Sequence, residues 1–127
     1  MTPDKHFVIN NSLDILQARR EGMDLATTIG FSKTEAIKIA VVISELGRNI
    51  ATYVGNGSIK LFTAPPESDR HYIKIIAEDE GDGIADIDAA IAQNGMGLAG
   101  SQRLMDEFEI VSIQGEGTQI TAIKWLD

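Results

Sequence analysis

Residues 33–54 read KTEAIKIAVVISELGRNIATYV, and the placement of their polar residues decides the fold. Ser32-Lys33-Thr34-Glu35 opens the stretch with a capping-box pattern ahead of an apolar run. Ala36, Ile39, Ala40, Ile43, Leu46, Gly47 and Ile50 recur at helical spacing and form one core-facing stripe. The spacing predicts a helix over 33–54 that stops at Gly55 or Gly57. Glu45 and Asn49 lie one turn apart on the other side, in a sector shared with Val41 and Val42. A helix that only filled a core would need neither polar residue. A carboxylate and an amide oxygen so placed suit a hydrated Mg²⁺ and a nucleophile awaiting deprotonation. An ordinary solvated helix face has the same pattern. Gly47 costs the helix roughly 1 kcal/mol against Ala, and on the core stripe it permits close packing against a sheet.

Outward from this helix, His6–Asn10 reads as a strand, and Asn11 or Ser12 caps a first helix over 13–29. That helix carries Leu13, Leu16, Ala18, Met23 and Leu25 and stops at Gly30. Ser58–Ala64 and His71–Glu80 read as strands joined by Pro65-Pro66-Glu67-Ser68-Asp69, which makes a hairpin. Residues 81–97 are rich in Gly and Asp, with a short helix expected after Asp86. Leu98–Glu107 reads as a helix, and Glu109–Gln114 and Gln119–Trp125 as strands around Gly115-Glu116-Gly117. The order predicts an α+β fold, a two-layer α/β sandwich with a mixed, mostly antiparallel sheet and helices on one face. Residues 1–127 are read as a single domain.

Composition narrows the function classes. The net charge of −8 argues against a nucleic-acid surface and against an anionic membrane. There is no Cys, so no disulfide framework and no thiolate metal site. MTPDKHF has no apolar h-region, and no apolar run reaches transmembrane length. The expectation is a soluble cytoplasmic protein, with no nucleic-acid or membrane partner.

Three further stretches can carry chemistry. In Asp79-Glu80-Gly81-Asp82-Gly83, strand alternation puts Asp79 on the face of Ile73, Ile75 and Ala77. An inward carboxylate is costly unless something bonds it, such as a purine amino group or a water. Gly81 and Gly83 let the backbone approach a flat ligand; an acidic turn reads the same way. Gly95-Met96-Gly97-Leu98 precedes a helix, where exposed N–H groups attract phosphate, although a flexible connection also fits. Thr118 follows Gly115-Glu116-Gly117 and shares a strand face with Ile120 and Ala122, toward Asp79. A hairpin turn with a β-favouring Thr is the alternative. Neither a P-loop nor a Rossmann fingerprint is present. His6 and His71 have no matching metal ligands and read as structural; Trp125 reads as a packing or edge residue. Asp106 and Glu107 read as solvated residues closing a helix.

Taken in order, Glu-x-x-x-Asn on a helix, D-x-G-x-G, G-x-G-L and then G-T resemble the GHKL ATPase fold, also called the Bergerat ATP-binding fold. The resemblance runs from about residue 10 to 127. The chain looks like the anti-sigma-factor serine/threonine kinase branch. ISELGRNI, IIAEDEGDGI, RLMDEF and GEGTQITAIKWL look most like the stressosome switch kinases within it. The resemblance implies ATP and Mg²⁺ as cofactors. It implies Glu45 as the general base on a substrate hydroxyl and Asn49 as the Mg²⁺ ligand. Asp79 would accept from the adenine amino group, with Gly81 and Gly83 admitting the nucleotide. Gly95, Gly97 and Leu98 would shape the phosphate end of the lid, and Thr118 would bond adenine or its water. Arg48 fits the family pattern beside the Asn, and an exposed charge fits equally. The segment Ile84–Asn94 is shorter than the family's usual ATP lid.

The function implied is an ATP-dependent serine/threonine protein kinase acting on STAS-domain proteins in a stress-response partner switch. Released, it would activate a PP2C-type phosphatase. Alone it would be a monomer, and otherwise part of a larger complex. The short lid raises a non-catalytic or weakly catalytic binding module as an alternative, and the fold also permits an anti-sigma-factor kinase. No phosphoacceptor domain precedes the motifs, which places a histidine kinase further back.

Overall fold

The computed structural model describes residues 2–83 and 98–126. The predicted short helix after Asp86, the shortened lid segment, Gly95 and Gly97 lie outside the described residues.

The described elements are β1 (Lys5–Ile9), α1 (Ser12–Ile29), α2 (Lys33–Tyr53), β2 (Gly57–Thr63), β3 (Tyr72–Asp79), α3 (Leu98–Leu104), β4 (Glu107–Ile113) and β5 (Gly117–Trp125). The five strands form one sheet in the order β1-β2-β3-β5-β4. Every pairing among the described residues is antiparallel, in line with the mostly antiparallel sheet expected from sequence. The architecture is α+β, as expected. Both predicted hairpins form, and the second inserts β5 between β3 and β4.

α1 begins with a complete capping box at Asn11. Its side chain accepts from the Asp14 N–H at 3.1 Å, and Asp14 returns a bond to the Asn11 N–H. The box read at Ser32–Glu35 is only half made: Ser32 Oγ accepts from the Glu35 N–H at 3.2 Å. The Glu35 carboxylate goes instead to Lys124 at 2.9 Å and Lys38 at 3.2 Å. A tertiary partner with a full charge outcompetes a backbone N–H. α2 ends at Tyr53, and Gly55, with φ +103°, donates to the Ile50 carbonyl beyond it.

The apolar stripe predicted on α2 is the heart of the core. Ala36, Ile39, Ala40, Ile43, Leu46 and Ile50 are all buried, and Val42 joins them. Alternate residues of the strands, including Ile9, Ile59, Leu61, Ile73, Ile75, Ile120 and Ala122, share that cluster. Gly47 has a different neighbour from the one expected. A Cβ there would lie 3.0 Å from Cγ1 of Ile15, so the glycine brings α2 against α1 rather than the sheet.

The C-terminal third also departs from the sequence reading. α3 ends at Leu104, and Glu107 already pairs with Ile123 in the sheet. The Asp106 N–H donates to the Ile123 carbonyl at 2.9 Å, so ladder bonds end the helix three residues early. Asp106 and Glu107 therefore do not close a helix. Asp106 Oδ2 accepts from the Trp125 N–H at 2.7 Å, and Glu107 Oε2 from Trp125 Nε1 at 2.6 Å. Trp125 sits in an interior strand, edge-to-face with Tyr72 at 5.3 Å between centroids and beneath the Arg70 guanidinium at 4.5 Å. No helix among the described residues is long and apolar enough to cross a membrane.

Candidate functional site

The site is built where the end of α2 meets one end of the sheet. Glu45 and Asn49 are both half-buried, beside fully buried Val42 and half-buried Val41. The helix face carrying them is therefore only partly wet. Glu45 is not free: Arg48, one turn on, forms an ion pair with its Oε1. The Arg48 side chain is 60% exposed and that of Glu45 20%, so Arg48 covers Glu45 from the solvent side. The Asn49 amide makes no hydrogen bond among the described residues.

β3 ends at Asp79, whose register partner on β5 is Thr118. The sequence placed these two on one face, and antiparallel pairing makes them neighbours. Asp79 Oδ1 accepts from the Gly81 N–H at 3.0 Å, closing a tight turn. Its other oxygen has no hydrogen-bond donor among the described residues. A Cβ on Gly57 would lie 2.8 Å from Cγ2 of Ile50 and 3.3 Å from Cβ of Asp79. A Cβ on Gly81 would lie 2.8 Å from Cγ2 of Val54. These two glycines let the last turns of α2 settle onto the Asp79 turn.

The opposite wall is the β4–β5 hairpin. Gly117 has φ +128°, and a Cβ there would collide with the Asp79 carbonyl oxygen. Gly83 has φ +82°, and its Cβ would lie 2.7 Å from the Ile113 carbonyl oxygen. The Gly115 N–H donates to the Asp82 carbonyl at 2.7 Å. The Asp79–Gly83 turn is thereby pinned between α2 and the hairpin. Thr118 is buried, with Oγ1 3.0 Å from Ser112 Oγ, which also donates to the Gly117 carbonyl at 3.3 Å. Ser112 escaped the sequence reading, because only the β4–β5 register shows that it faces Thr118. Leu98 opens α3 as a buried core residue packed with α2.

The structure thus brings Asp79, Gly81, Gly83 and Thr118 to one end of the sheet, with Ile50 of α2 and Val54 just beyond it packed against the turn. The donor set bears on Mg²⁺. No group of three or more His, Cys, Asp or Glu residues able to hold a metal exists among the described residues. One amide oxygen at Asn49 fits an ion that keeps waters and takes its other ligands from phosphates, as Mg²⁺ commonly does. His6 and His71 lie on and beside distant strand positions and belong to no such group.

Away from the site, Lys124 is 8% exposed and joins three elements. Its Nζ reaches Glu35 Oε2 at 2.9 Å and donates to the Leu104 carbonyl at 3.2 Å. The Lys124 hydrogen bond holds the Glu35 carboxyl below its ordinary value; partial burial opposes this and Lys38 reinforces it.

Known proteins resemble this chain in sequence and in fold. Residues 11–124 match the histidine kinase-like ATPase domain family. The serine/threonine-protein kinase RsbT of Bacillus subtilis (strain 168) is 43% identical over 120 residues, covering 89% of this chain and 90% of that protein. A histidine kinase domain from the Erythrobacter litoralis EL346 blue-light activated histidine kinase superposes with a TM-score of 0.57 at 15% identity. That match covers 88% of this chain but 59% of the solved one, and it speaks to fold alone.

Proposed function

The chain belongs to the histidine kinase-like ATPase domain family, with a serine/threonine-protein kinase 43% identical to it, and from that premise we propose its specific reaction and setting. The enzyme transfers the γ-phosphoryl group of ATP to a serine or threonine hydroxyl of a STAS-domain protein. Released from that partner, it activates a PP2C-type phosphatase by contact. The setting is the cytoplasm, where ATP is supplied, in a stress-responsive partner switch of the stressosome kind.

The observation that carries this reading is the meeting of the α2 end with the Asp79 turn, through Gly57 and Gly81. Asp79 presents to an adenine amino group one oxygen that has no donor among the described residues. Thr118, held by Ser112, bonds the base or a water beside it. Gly81 and Gly83 let the turn pack between Val54 and the β4–β5 hairpin, which holds Asp79 in place for the ring, and Leu98 fixes the start of α3. Asn49 would hold Mg²⁺, which would supply neutralisation of charge on the phosphate oxygens. Glu45 takes the proton of the attacking hydroxyl. That oxygen then forms the bond to the γ-phosphorus as the bond to the β–γ bridging oxygen breaks, and ADP leaves. Such catalysis is positioning and charge stabilisation rather than covalent chemistry.

Calorimetric titration with ATP and Mg²⁺ tests the site. Wild type should bind saturably, and Asp79→Asn should lose binding. Glu45→Ala should still bind nucleotide while phosphotransfer to a STAS-domain protein falls by about 10²–10⁴-fold. Full transfer by that variant removes Glu45 from the base role. One observation favours a second reading, in which the chain acts mainly as a contact switch: Arg48 already occupies Glu45. Phosphatase activation that survives Asn49→Ala would favour the switch; loss of both activities would argue against it.

A further inference from the structure

α1 and α2 press together at Ile15 and Gly47, and beside that contact their surfaces part into a groove of about 240 Å³. Its lining is Ser12, Ile15, Leu16, Arg19, Ser44 and Arg48. The composition is unlike the rest of the molecule. The chain carries 19 acidic residues against 11 basic ones, yet no carboxylate lines this groove and two guanidiniums do. Arg19 is exposed and makes no ion pair among the described residues. Leu16 is 49% exposed, and Leu13, one turn before it, is 75% exposed. α1 therefore shows solvent two leucines at i and i+3 beside the exposed Arg19 and beside Arg48, whose charge is met by Glu45. Water gives no reason for such an apolar strip on a charged helix surface, whereas a partner does.

We propose that this groove docks an acidic, apolar-anchored segment of the protein substrate. Carboxylates of the segment pair with Arg19 and Arg48, and its apolar side chains cover Leu13 and Leu16. Charge complementarity selects the occupant: an acidic segment meets the basic rim, while the remaining negative surface of this chain repels it elsewhere. Arg48 gives the groove its link to the chemistry, because the same guanidinium holds Glu45. A docked carboxylate competes with Glu45 for Arg48, so arrival of the substrate frees the residue that is to take its proton. The identity of the occupant rests on the kinase reading; the binding itself does not.

The test is fluorescence anisotropy without ATP. The probes are a short fluorescein-labelled peptide of Glu and Leu, with leucines at helical spacing, and its counterpart with Lys in place of Glu. Wild type should bind the acidic peptide, more weakly as salt is raised, and should not bind the basic one. Arg19→Glu and Leu16→Ser, both on exposed side chains, should each weaken binding roughly tenfold while retaining the wild-type circular dichroism spectrum. Absence of acidic-peptide binding by wild type overturns the proposal, as does equal binding by wild type and both variants. Failure of wild type to bind ATP in the calorimeter would count against the kinase reading and leave the groove result standing.

Discussion

Gly117 shows how a single backbone position shapes the site. Its φ of +128° is one that L side chains rarely adopt, and the Asp79 carbonyl oxygen occupies the place where a Cβ would go. Gly117→Ala should destabilise the protein by about 3 kcal/mol through backbone strain and collision combined. A urea-unfolding midpoint equal to wild type would show that the hairpin yields without cost. The same position explains the legibility of this region. A Gly before a Thr is visible in the sequence, but its reason for being Gly, an oxygen 38 positions earlier in the chain, is not. Asp79 was more accessible to reasoning, because strand alternation alone turns it toward the core face. Its bond to the Gly81 N–H then fits the D-x-G spacing.

At the scale of elements, polar partners decided where helices ended and which caps closed. Asn11 and Asp14 made the full box, whereas Glu35 left Ser32 for Lys124. Lys124 ties β5 to the start of α2 and to the last carbonyl of α3, where a cation also suits the helix C-terminus. Lys124→Met should cost about 1–2 kcal/mol at neutral pH, a figure kept low because Glu35 is one-third exposed. The sign of its pH dependence follows from Glu35. A carboxyl held below its unfolded value contributes stability above that value and loses it as pH falls through the folded one. The difference between wild type and Lys124→Met should therefore shrink in acid. Chemical denaturation across that range checks this; a difference that grows in acid would detach Glu35 from the effect. The early end of α3 belongs to the same scale. Residues 98–107 carry no break signal strong enough to stop a helix at 104, and only pairing with Ile123 and Trp125 claims Asp106 and Glu107 for β4.

Across the whole molecule, two long helices pack against each other and against a five-stranded antiparallel sheet. The helix contact depends on small residues. A Cβ at Gly22 would collide with Cδ1 of Ile43, and one at Gly47 would press on Ile15. Gly47→Val should overpack the α1–α2 contact and lower stability by about 1–3 kcal/mol, despite the better helix propensity of the new residue. Thermal and urea unfolding measure it. An unchanged midpoint would mean that the helices can part freely, and the groove at Leu16 and Arg19 would then owe little to this contact.

The sequence by itself determined the element order, the core stripe of α2, both hairpins and the candidate positions Glu45, Asn49, Asp79 and Thr118. These rest on helical and strand periodicity and on turn chemistry, all of which act over a few residues. The tertiary structure alone decided that β5 lies between β3 and β4, that Gly47 serves α1 and that Ser112 supports Thr118. It also decided that Arg48 covers Glu45 and that Glu35 answers to Lys124. Each of these is a choice among partners distant in the chain or among competing neighbours, and burial and charge settle such choices only once the layers have packed.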